Sequence, residues 1–221
     1  MGKSEIAALL KKLLNDIIKA GVLPKDYYLA GGTAVYLYLN HRLSRDLDFF
    51  SLNVFHSEII LKRFENHFEV KIEILEKDTI IIYLTKEKIK FSLFHYPYPL
   101  LNNLHIKEIN NHTECPIASF LDIIAMKIIA IVQRGSAKDF IDLFFLLKKI
   151  KLQFHEIVGL VKKKYGVEDR YEYQIKTAIT YFDDADQEVS DIYLIDKKDN
   201  LEMISEKNWN DIKHFFIEFA G

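Results

Sequence analysis

Two aspartates separated by one residue, Asp46 and Asp48, are the residues of this chain whose types and spacing point most directly to chemistry. On a β-strand both carboxylates lie on one face, while Leu47 and Phe49 point to the other. Carboxylates this close repel one another unless a cation lies between them. Mg²⁺ suits such a pair, since one or two carboxylates plus substrate phosphates usually hold it. An isolated Asp-x-Asp is more often a solvated strand edge, so the neighbouring residues decide the interpretation.

A glycine turn precedes the aspartates. Gly31 and Gly32 let the backbone approach a ligand and adopt positive φ. Their N–H groups, together with the start of the following helix, form a cradle for an anion such as phosphate. Thr33 either caps that helix or contacts a phosphate. Taken alone, the same three residues are also typical of an ordinary strand-to-helix turn.

A basic turn lies between the glycines and the aspartates. Arg42 is suited to bind a phosphate through two parallel hydrogen bonds, and Ser44 can join the phosphate cradle. The alternatives for Arg42 are a surface charge or a counterion for Asp46 or Asp48.

The whole stretch, LAGGTAVYLYLNHRLSRDLDFF, resembles the signature of the AbiEii/AbiGii-type nucleotidyltransferases, the toxins of abortive-infection toxin–antitoxin systems in phage defence. These are similar to the DNA polymerase β-like nucleotidyltransferase superfamily. The resemblance implies an enzyme in which Asp46 and Asp48 hold Mg²⁺ or Mn²⁺. It implies transfer of a nucleoside monophosphate from an NTP to RNA, particularly tRNA, or to a protein. A cognate antitoxin is the further partner that it implies.

A second matching segment lies much later, DIIAMK followed by Arg134 and KDFIDL. Here the resemblance implies a nucleotide-binding lysine at Lys127 and a catalytic or orienting acid at Asp139. The residues agree in part, because Lys127 interrupts an apolar helix and a buried ammonium needs an anionic partner. Arg134 lies two turns further along the same face, which makes it a second nucleotide-binding candidate. The alternative is a buried salt bridge from Lys127 to Asp139 or Asp142, and both roles can hold together.

One position departs from the superfamily pattern. The strand predicted at residues 89–95 carries Ser92 where a third carboxylate is expected, and Glu73 on an earlier strand is a possible substitute. This departure motivates a second hypothesis, a non-catalytic nucleotide-binding or interaction module on the same scaffold. A small-molecule nucleotidyltransferase of the antibiotic-modifying kind is a third.

Other charged residues give weaker signals. The histidines and Cys115 show no zinc-ligand spacing. The run Lys162–Lys164 is a local basic patch that can contact an RNA backbone, although a solvated helix face is the commoner explanation.

Composition and hydrophobic patterning predict the elements that position these residues. A net charge of −2 argues against a generally basic nucleic-acid coat, and the single cysteine favours a reducing cytoplasm. The longest apolar runs are too short to span a bilayer, so no membrane role is expected. The patterns predict an α+β fold with a C-terminal helical half, and the resemblance implies that its sheet is a polymerase β-like mixed sheet with flanking helices. We expect domains at 1–115 and 116–221, packed with the site in the crevice.

The predicted segments follow from alternating and helical periodicities. Strands are predicted at 27–30, 46–50, 69–75, 79–84, 89–95 and 104–109, with 69–95 forming an antiparallel meander. Helices are predicted at 4–20, 34–39, 57–68, 117–133, 137–149, 154–165, 170–182 and 205–219, with an acidic linker at 183–188.

Overall fold

The computed structural model of this protein describes residues 3–86, 88–110, 112–196 and 198–221. It confirms the predicted α+β fold with a mixed sheet. Seven strands form that sheet in the order β3-β4-β5-β2-β1-β7-β6. They are β1 (Tyr27–Ala30), β2 (Leu47–Ser51), β3 (Val70–Glu76), β4 (Thr79–Leu84), β5 (Ile89–His95), β6 (His105–Asn110) and β7 (Thr113–Ile117).

The helices of the described residues have the following bounds. They are α1 (Lys3–Lys19), α2 (Gly31–Leu39), α3 (Ser57–Glu65), α4 (Phe120–Arg134), α5 (Ala137–Ile150), α6 (Phe154–Tyr165), α7 (Tyr171–Ile179), α8 (Asp183–Glu188) and α9 (Glu206–Ala220). A short 3₁₀ helix (Val189–Asp191) and a two-stranded hairpin, β8 (Tyr193–Ile195) and β9 (Leu201–Met203), lie between α8 and α9. Among the described residues, no helix combines the length and the apolar character needed to cross a membrane.

The pairing at the centre of the sheet fixes the strand that carries the aspartates. β3, β4 and β5 form the predicted antiparallel meander. β2 runs parallel to β5 on one side and antiparallel to β1 on the other. β2 therefore has hydrogen-bonded neighbours on both edges, which holds its side chains in a defined register.

The apolar face of β2 is buried as the alternation predicts. Leu47 and Phe49 are fully buried. The ring of Phe49 lies 5.5 Å from that of Phe91 on β5, and Phe64 of α3 packs on Phe91 at 4.5 Å between ring centroids. The packing on this face leaves the opposite face of β2 for the aspartates.

By its internal contacts the chain divides into two compact units. Unit 1 comprises Met1–Ala34, Ser44–Pro99 and Asn103–Ala118, and it contains the seven-stranded sheet with α1 and α3. Unit 2 comprises Val35–Leu43, Leu100–Asn102 and Ser119–Gly221, and it contains α4 to α9 with the β8–β9 hairpin. The boundary between residues 115 and 116 for two domains stays a prediction.

The segments at 113–117 and 183–188 differ from the sequence prediction. β7 was not predicted, and it contains Pro116, which lacks the N–H that a ladder requires. The strand accommodates Pro116 because its pairing with β1 is confined to Ile117 and continues with Ala118 N–H donating to the Leu29 carbonyl at 2.9 Å. The predicted acidic linker 183–188 is instead helix α8. Acidic residues in the first turn of a helix are stabilised by its dipole. The prediction of a linker considered only the acidic composition of this segment.

Candidate active site

The two predicted metal-binding aspartates lie at the start of β2 and just before it. Asp48 is half-buried and is paired in register with Ala30 of β1, while Asp46 is exposed and immediately precedes the strand. Asp48 lies on the face of β2 opposite Leu47 and Phe49, and continuing the alternation by one step would put Asp46 on the same face. The name carboxylate pair is used below for Asp46 and Asp48.

Gly31 is the first residue of α2 and lies beside the Asp48 carboxylate. Its φ of +67° lies in the left-handed region that favours glycine. A Cβ added to Gly31 would lie 2.5 Å from Asp48 Oδ2 and 3.1 Å from Asp48 Cβ. Glycine is required here by both backbone conformation and the space that the carboxylate occupies. The carboxylate beside the first turn of α2 is stabilised by the positive end of the helix dipole.

Thr33 and Ser44 connect the glycine turn to the strand. Thr33 Oγ1 lies 3.0 Å from Ser44 Oγ and within hydrogen-bond distance of the Asp46 carbonyl oxygen. Thr33 is 1% exposed and Ser44 is 8% exposed. These hydroxyls fix the segment that leads into β2 and so position Asp46. Their predicted contact with phosphate stays a prediction, as does that of Gly32, which is buried in the first turn of α2.

Ser92 occupies the position at which a third acid was expected. It is the register partner of Asp48 across the parallel β2–β5 pair, so the two side chains share a face of the sheet. Glu73 does not replace that acid, which corrects the possible substitution considered from the sequence. It lies on β3, three strands from β2 and thus about 14 Å away, and its carboxylate pairs with Lys90 at 3.1 Å.

The carboxylate pair fits Mg²⁺ only together with a substrate. Among the residues that the structure describes, no cluster of three or more His, Cys, Asp or Glu side chains is arranged to hold a metal ion. Two carboxylates on one face, with space kept open by a glycine, match the way in which Mg²⁺ is bound by one or two carboxylates plus phosphate oxygens. The donor set is therefore one that a nucleotide completes.

The later candidates Lys127, Arg134 and Asp139 come together within unit 2. Lys127 Nζ donates to Asp139 Oδ1 at 2.8 Å. Arg134 Nε donates to Asp139 Oδ2 at 2.8 Å, and its Nη2 donates to Oδ1 at 3.1 Å. Helix α4 supplies both cations and the first turn of α5 supplies the acid. The alternative of a salt bridge between Lys127 and Asp139 is thus present in the structure.

Asp142, one turn after Asp139, is the centre of the same network. Arg42 grips it with Nε at 2.6 Å from Oδ1 and Nη2 at 2.8 Å from Oδ2. Lys127 Nζ lies 2.6 Å from Oδ2, and His41 Nε2 lies 2.7 Å from Oδ1. Because a carboxylate only accepts, the proton of neutral His41 is on Nε2. The name buried charge cluster is used below for His41, Arg42, Lys127, Arg134, Asp139 and Asp142.

Burial and charge set the protonation of the buried charge cluster. Burial alone raises the pKa of Asp142, but Arg42 and Lys127 outweigh it and hold that pKa well below its usual range. Burial also raises the pKa of Asp139, but Lys127 and Arg134 outweigh burial and lower that pKa below its ordinary value. Burial lowers the pKa of Lys127, yet Asp142 and Asp139 bring the net shift above the ordinary value. The cluster is therefore ionised, with three cationic side chains around two carboxylates.

The structure places Arg42 differently from the simplest expectation. Its side chain is 4% exposed and is committed to Asp142, not to a solvent-facing phosphate site. A bridge between Arg42 and Leu194 joins its backbone to the β8–β9 hairpin, and Leu43 N–H donates to the Tyr193 carbonyl at 3.0 Å. The C-terminal hairpin, for which the sequence offered no role, thus holds the segment that carries Arg42.

A second buried ion pair corrects the interpretation of Lys162–Lys164 as a continuous basic patch. Lys164 is fully buried and donates to Asp122 Oδ1 at 2.7 Å, and Lys162 pairs with Asp169 at 2.9 Å. Asp122 also accepts hydrogen bonds from Ser119 Oγ and from the backbone N–H of Leu101. Two of the three lysines are thus occupied within the protein.

From the sequence, Asp142 was considered only as an alternative salt-bridge partner of Lys127, and His41 was given no role. The only signal was the repeat of an acid three residues after Asp139, which puts both on one face of α5.

Three comparisons connect this geometry to known proteins. The model of the family described as nucleotidyl transferase AbiEii toxin, type IV TA system, matches residues 12–220. An uncharacterized protein of Aquifex aeolicus (strain VF5) is 39% identical over 209 residues, covering 93% of this chain and 91% of the relative.

Two solved structures share the fold. MenT4, a nucleotidyltransferase toxin from Mycobacterium tuberculosis H37Rv, superposes with a TM-score of 0.58 at 15% identity, covering 100% of this chain and 85% of that chain. A protein from H. pylori assigned to the nucleotidyltransferases gives a TM-score of 0.55 at 18% identity, covering 96% of this chain and 92% of that chain.

Proposed function

The chain belongs to the AbiEii nucleotidyltransferase toxin family, and from this premise we propose that it transfers a nucleoside monophosphate from a Mg²⁺-bound NTP to an acceptor hydroxyl. The acceptors that the family implies are tRNA and protein, and its toxin character implies a cognate antitoxin. The observation that carries the proposal is the approach of Asp48 Oδ2 to Gly31, where only glycine leaves room for the carboxylate.

The residues of unit 1 divide the work as follows. Asp46 and Asp48 would hold the metal ion, which when bound neutralises triphosphate charge and polarises the α-phosphorus. The N–H groups of the Gly31–Gly32 turn and the start of α2 bind phosphate oxygens. Thr33 and Ser44 keep the segment before β2 in place through their hydroxyl contact of 3.0 Å.

The proposed transfer step takes place between the NTP and the acceptor hydroxyl. The acceptor oxygen forms a bond to the α-phosphorus, the bond from that phosphorus to the β-phosphate bridging oxygen breaks, and pyrophosphate leaves. The hydroxyl proton passes to water, since Ser92 stands beside Asp48 in place of a carboxylate that would accept it.

The buried charge cluster supports an orienting role for Asp139 more than a role as proton acceptor. A carboxylate with a lowered pKa that already accepts from Lys127 and Arg134 is a weak base. Within the cluster, Arg134 is the cation that solvent reaches, with a side chain 65% exposed against 8% for Lys127. We therefore assign phosphate binding to Arg134 first and the positioning of the ion network to Lys127 and Asp139.

The test is the double variant Asp46→Asn/Asp48→Asn. Losing the metal-binding carboxylates removes several kcal/mol of transition-state stabilisation, so transfer should fall by at least about a hundredfold. Label transfer from α-³²P NTPs to total tRNA and to protein measures activity, and calorimetry with Mg²⁺ and NTP measures binding.

The matched control is Glu108→Gln/Glu114→Gln. These two exposed acids are register partners on β6 and β7, at the far end of the same sheet from β5. The control should transfer label at the wild-type rate. Full transfer by the Asp46→Asn/Asp48→Asn protein would overturn the assignment of the site.

A further inference from the structure

The face of the sheet that carries Asp48 also carries a row of aromatic side chains. Phe50 follows Asp48 by two residues on β2, so the two side chains share a face about 7 Å apart. Phe50 is paired in register with Tyr28 on β1 and with Phe94 on β5. This row across three strands lies directly beside the row formed by Ala30, Asp48 and Ser92.

Two tyrosines extend the row beyond the end of β5. The ring of Tyr96 lies 5.1 Å from that of Phe50, and the ring of Tyr98 lies 4.8 Å from that of Tyr96, both edge to face. Tyr96 N–H donates to the Ser51 carbonyl at 2.8 Å, so strand pairing continues to this point. Pro97 and Pro99 fix φ on either side of Tyr98. The rings are thus held by a restricted backbone.

Tyr28 is buried at one side of this row, and the other rings are partly exposed. Tyr28 is fully buried and stacks on Phe50 with ring centroids 5.7 Å apart. Phe50, Phe94 and Tyr96 are half-buried, and Tyr98 is 38% exposed. The name aromatic row is used for Phe50, Phe94, Tyr96 and Tyr98. Its rings are partly exposed and are carried by a backbone that strand pairing and the two prolines restrict.

We propose that the aromatic row is the platform on which the unstacked terminal base of an RNA acceptor stacks, an inference that rests on the proposed function. Single-stranded RNA ends are recognised by stacking on aromatic side chains, and every base offers a π-face to them. The step from Asp48 to Phe50 is comparable to the span of one nucleotide from its sugar hydroxyl to its base. A base stacked on the aromatic row therefore has its own hydroxyl on the side of the carboxylate pair.

The first test substitutes the most exposed ring. Tyr98→Leu should raise the KM for RNA about tenfold, because removing a ring on which a base stacks typically weakens binding by about this factor or more. Both kcat and NTP binding should change little. Tyr98→Trp, which keeps a stacking surface, should retain the wild-type KM. Tyr96→Leu extends the test to the ring in contact with Phe50.

The matched control is Tyr83→Leu on β4. Tyr83 is exposed to the same extent as Tyr98, 38%, but lies outside the aromatic row. Its substitution should leave the KM for RNA unchanged, which separates the platform from a general effect of losing a surface tyrosine.

A direct probe is a short single-stranded RNA with 2-aminopurine as its 3′-terminal base. Stacking quenches this fluorophore, so the wild type with Mg²⁺ and a non-hydrolysable NTP should quench it and the Tyr98→Leu/Tyr96→Leu protein should not. Equal quenching by both proteins, absence of quenching by the wild type, or label transfer to protein alone would each overturn the proposal. Failure of the proposed function would show differently, as absence of NTP transfer to any acceptor.

Discussion

The two pairs of closely spaced aspartates in this protein have opposite environments. Asp46 and Asp48, two residues apart, lie exposed and half-buried at the start of a strand. Asp139 and Asp142, three residues apart on α5, are fully buried and surrounded by Arg42, Lys127, Arg134 and His41. Similar acid spacing thus serves two different purposes.

The difference lies in where the compensating positive charge comes from. Cationic side chains of the protein already lie against both oxygens of Asp142, through Arg42 and Lys127 at 2.6–2.8 Å. Asp46 receives no side-chain hydrogen bond from the residues that the structure describes, beyond the contact of Thr33 with its carbonyl oxygen. The buried pair is compensated within the protein, whereas Asp46 is exposed to solvent, which is the arrangement that the proposed metal role requires.

The largest expected effect distinguishes the two pairs by stability. Asp142→Ala leaves Arg42 and Lys127 buried without a shared carboxylate, and removing one partner of a buried ion pair costs about 3–5 kcal/mol. Asp46→Ala removes an exposed acid and should change the free energy of unfolding by no more than about 0.5 kcal/mol. Urea unfolding followed by circular dichroism measures both. Equal destabilisation by the two substitutions would contradict the division between the pairs.

A smaller effect is expected at the glycine beside Asp48. Gly31→Ala puts a side chain on a residue whose φ is +67°, which costs about 1–2 kcal/mol. The added Cβ would also lie 2.5 Å from Asp48 Oδ2. The carboxylate must then move, so label transfer from NTP should also fall, by about tenfold or more. Urea unfolding and the transfer assay measure the two effects.

Gly21→Ala is the control for backbone strain. Gly21 has a φ of +61°, and an added Cβ would meet nothing within 4 Å. It should lose a similar backbone energy and keep full transfer activity. If both glycine variants lose transfer equally, the close approach of Gly31 to Asp48 is not what the site depends on.

The exposed pair and its surroundings were predictable because their signals are local. Alternation along residues 46–50 places the acids on one face and Leu47 and Phe49 in the core, and the glycine turn lies in the same stretch. The meander of β3 to β5 followed from short polar turns between strand-like runs.

The buried charge cluster was only partly predictable because its partners are distant in sequence. Arg42 and Asp142 are 100 residues apart, and no local periodicity connects them. The same holds for Lys164, which looks like part of a solvated basic run until Asp122, 42 residues earlier, takes its charge in the interior. Spacing rules identify which residues share a face but not which face meets which partner.

The smallest expected effect concerns the proton balance of the buried charge cluster. Burial lowers the pKa of His41, and although Asp142 opposes this shift, Arg42 and Lys127 reinforce it. The unfolded chain therefore binds a proton on His41 at higher pH than the folded chain. Stability should fall as the pH drops from about 6.5, the ordinary histidine value, through the lowered folded pKa, by at most about 1.4 kcal/mol per pH unit.

His41→Gln tests this because glutamine keeps an N–H donor for Asp142 but does not titrate. The free energy of unfolding of the wild type, minus that of His41→Gln, should be larger at pH 7.5 than at pH 5.5. Urea unfolding at each pH measures this difference. A difference that stays constant over this range would mean that His41 takes up its proton equally in both states. Burial beside Arg42 and Lys127 would then not disfavour a proton on His41, as the comparison between the two aspartate pairs requires.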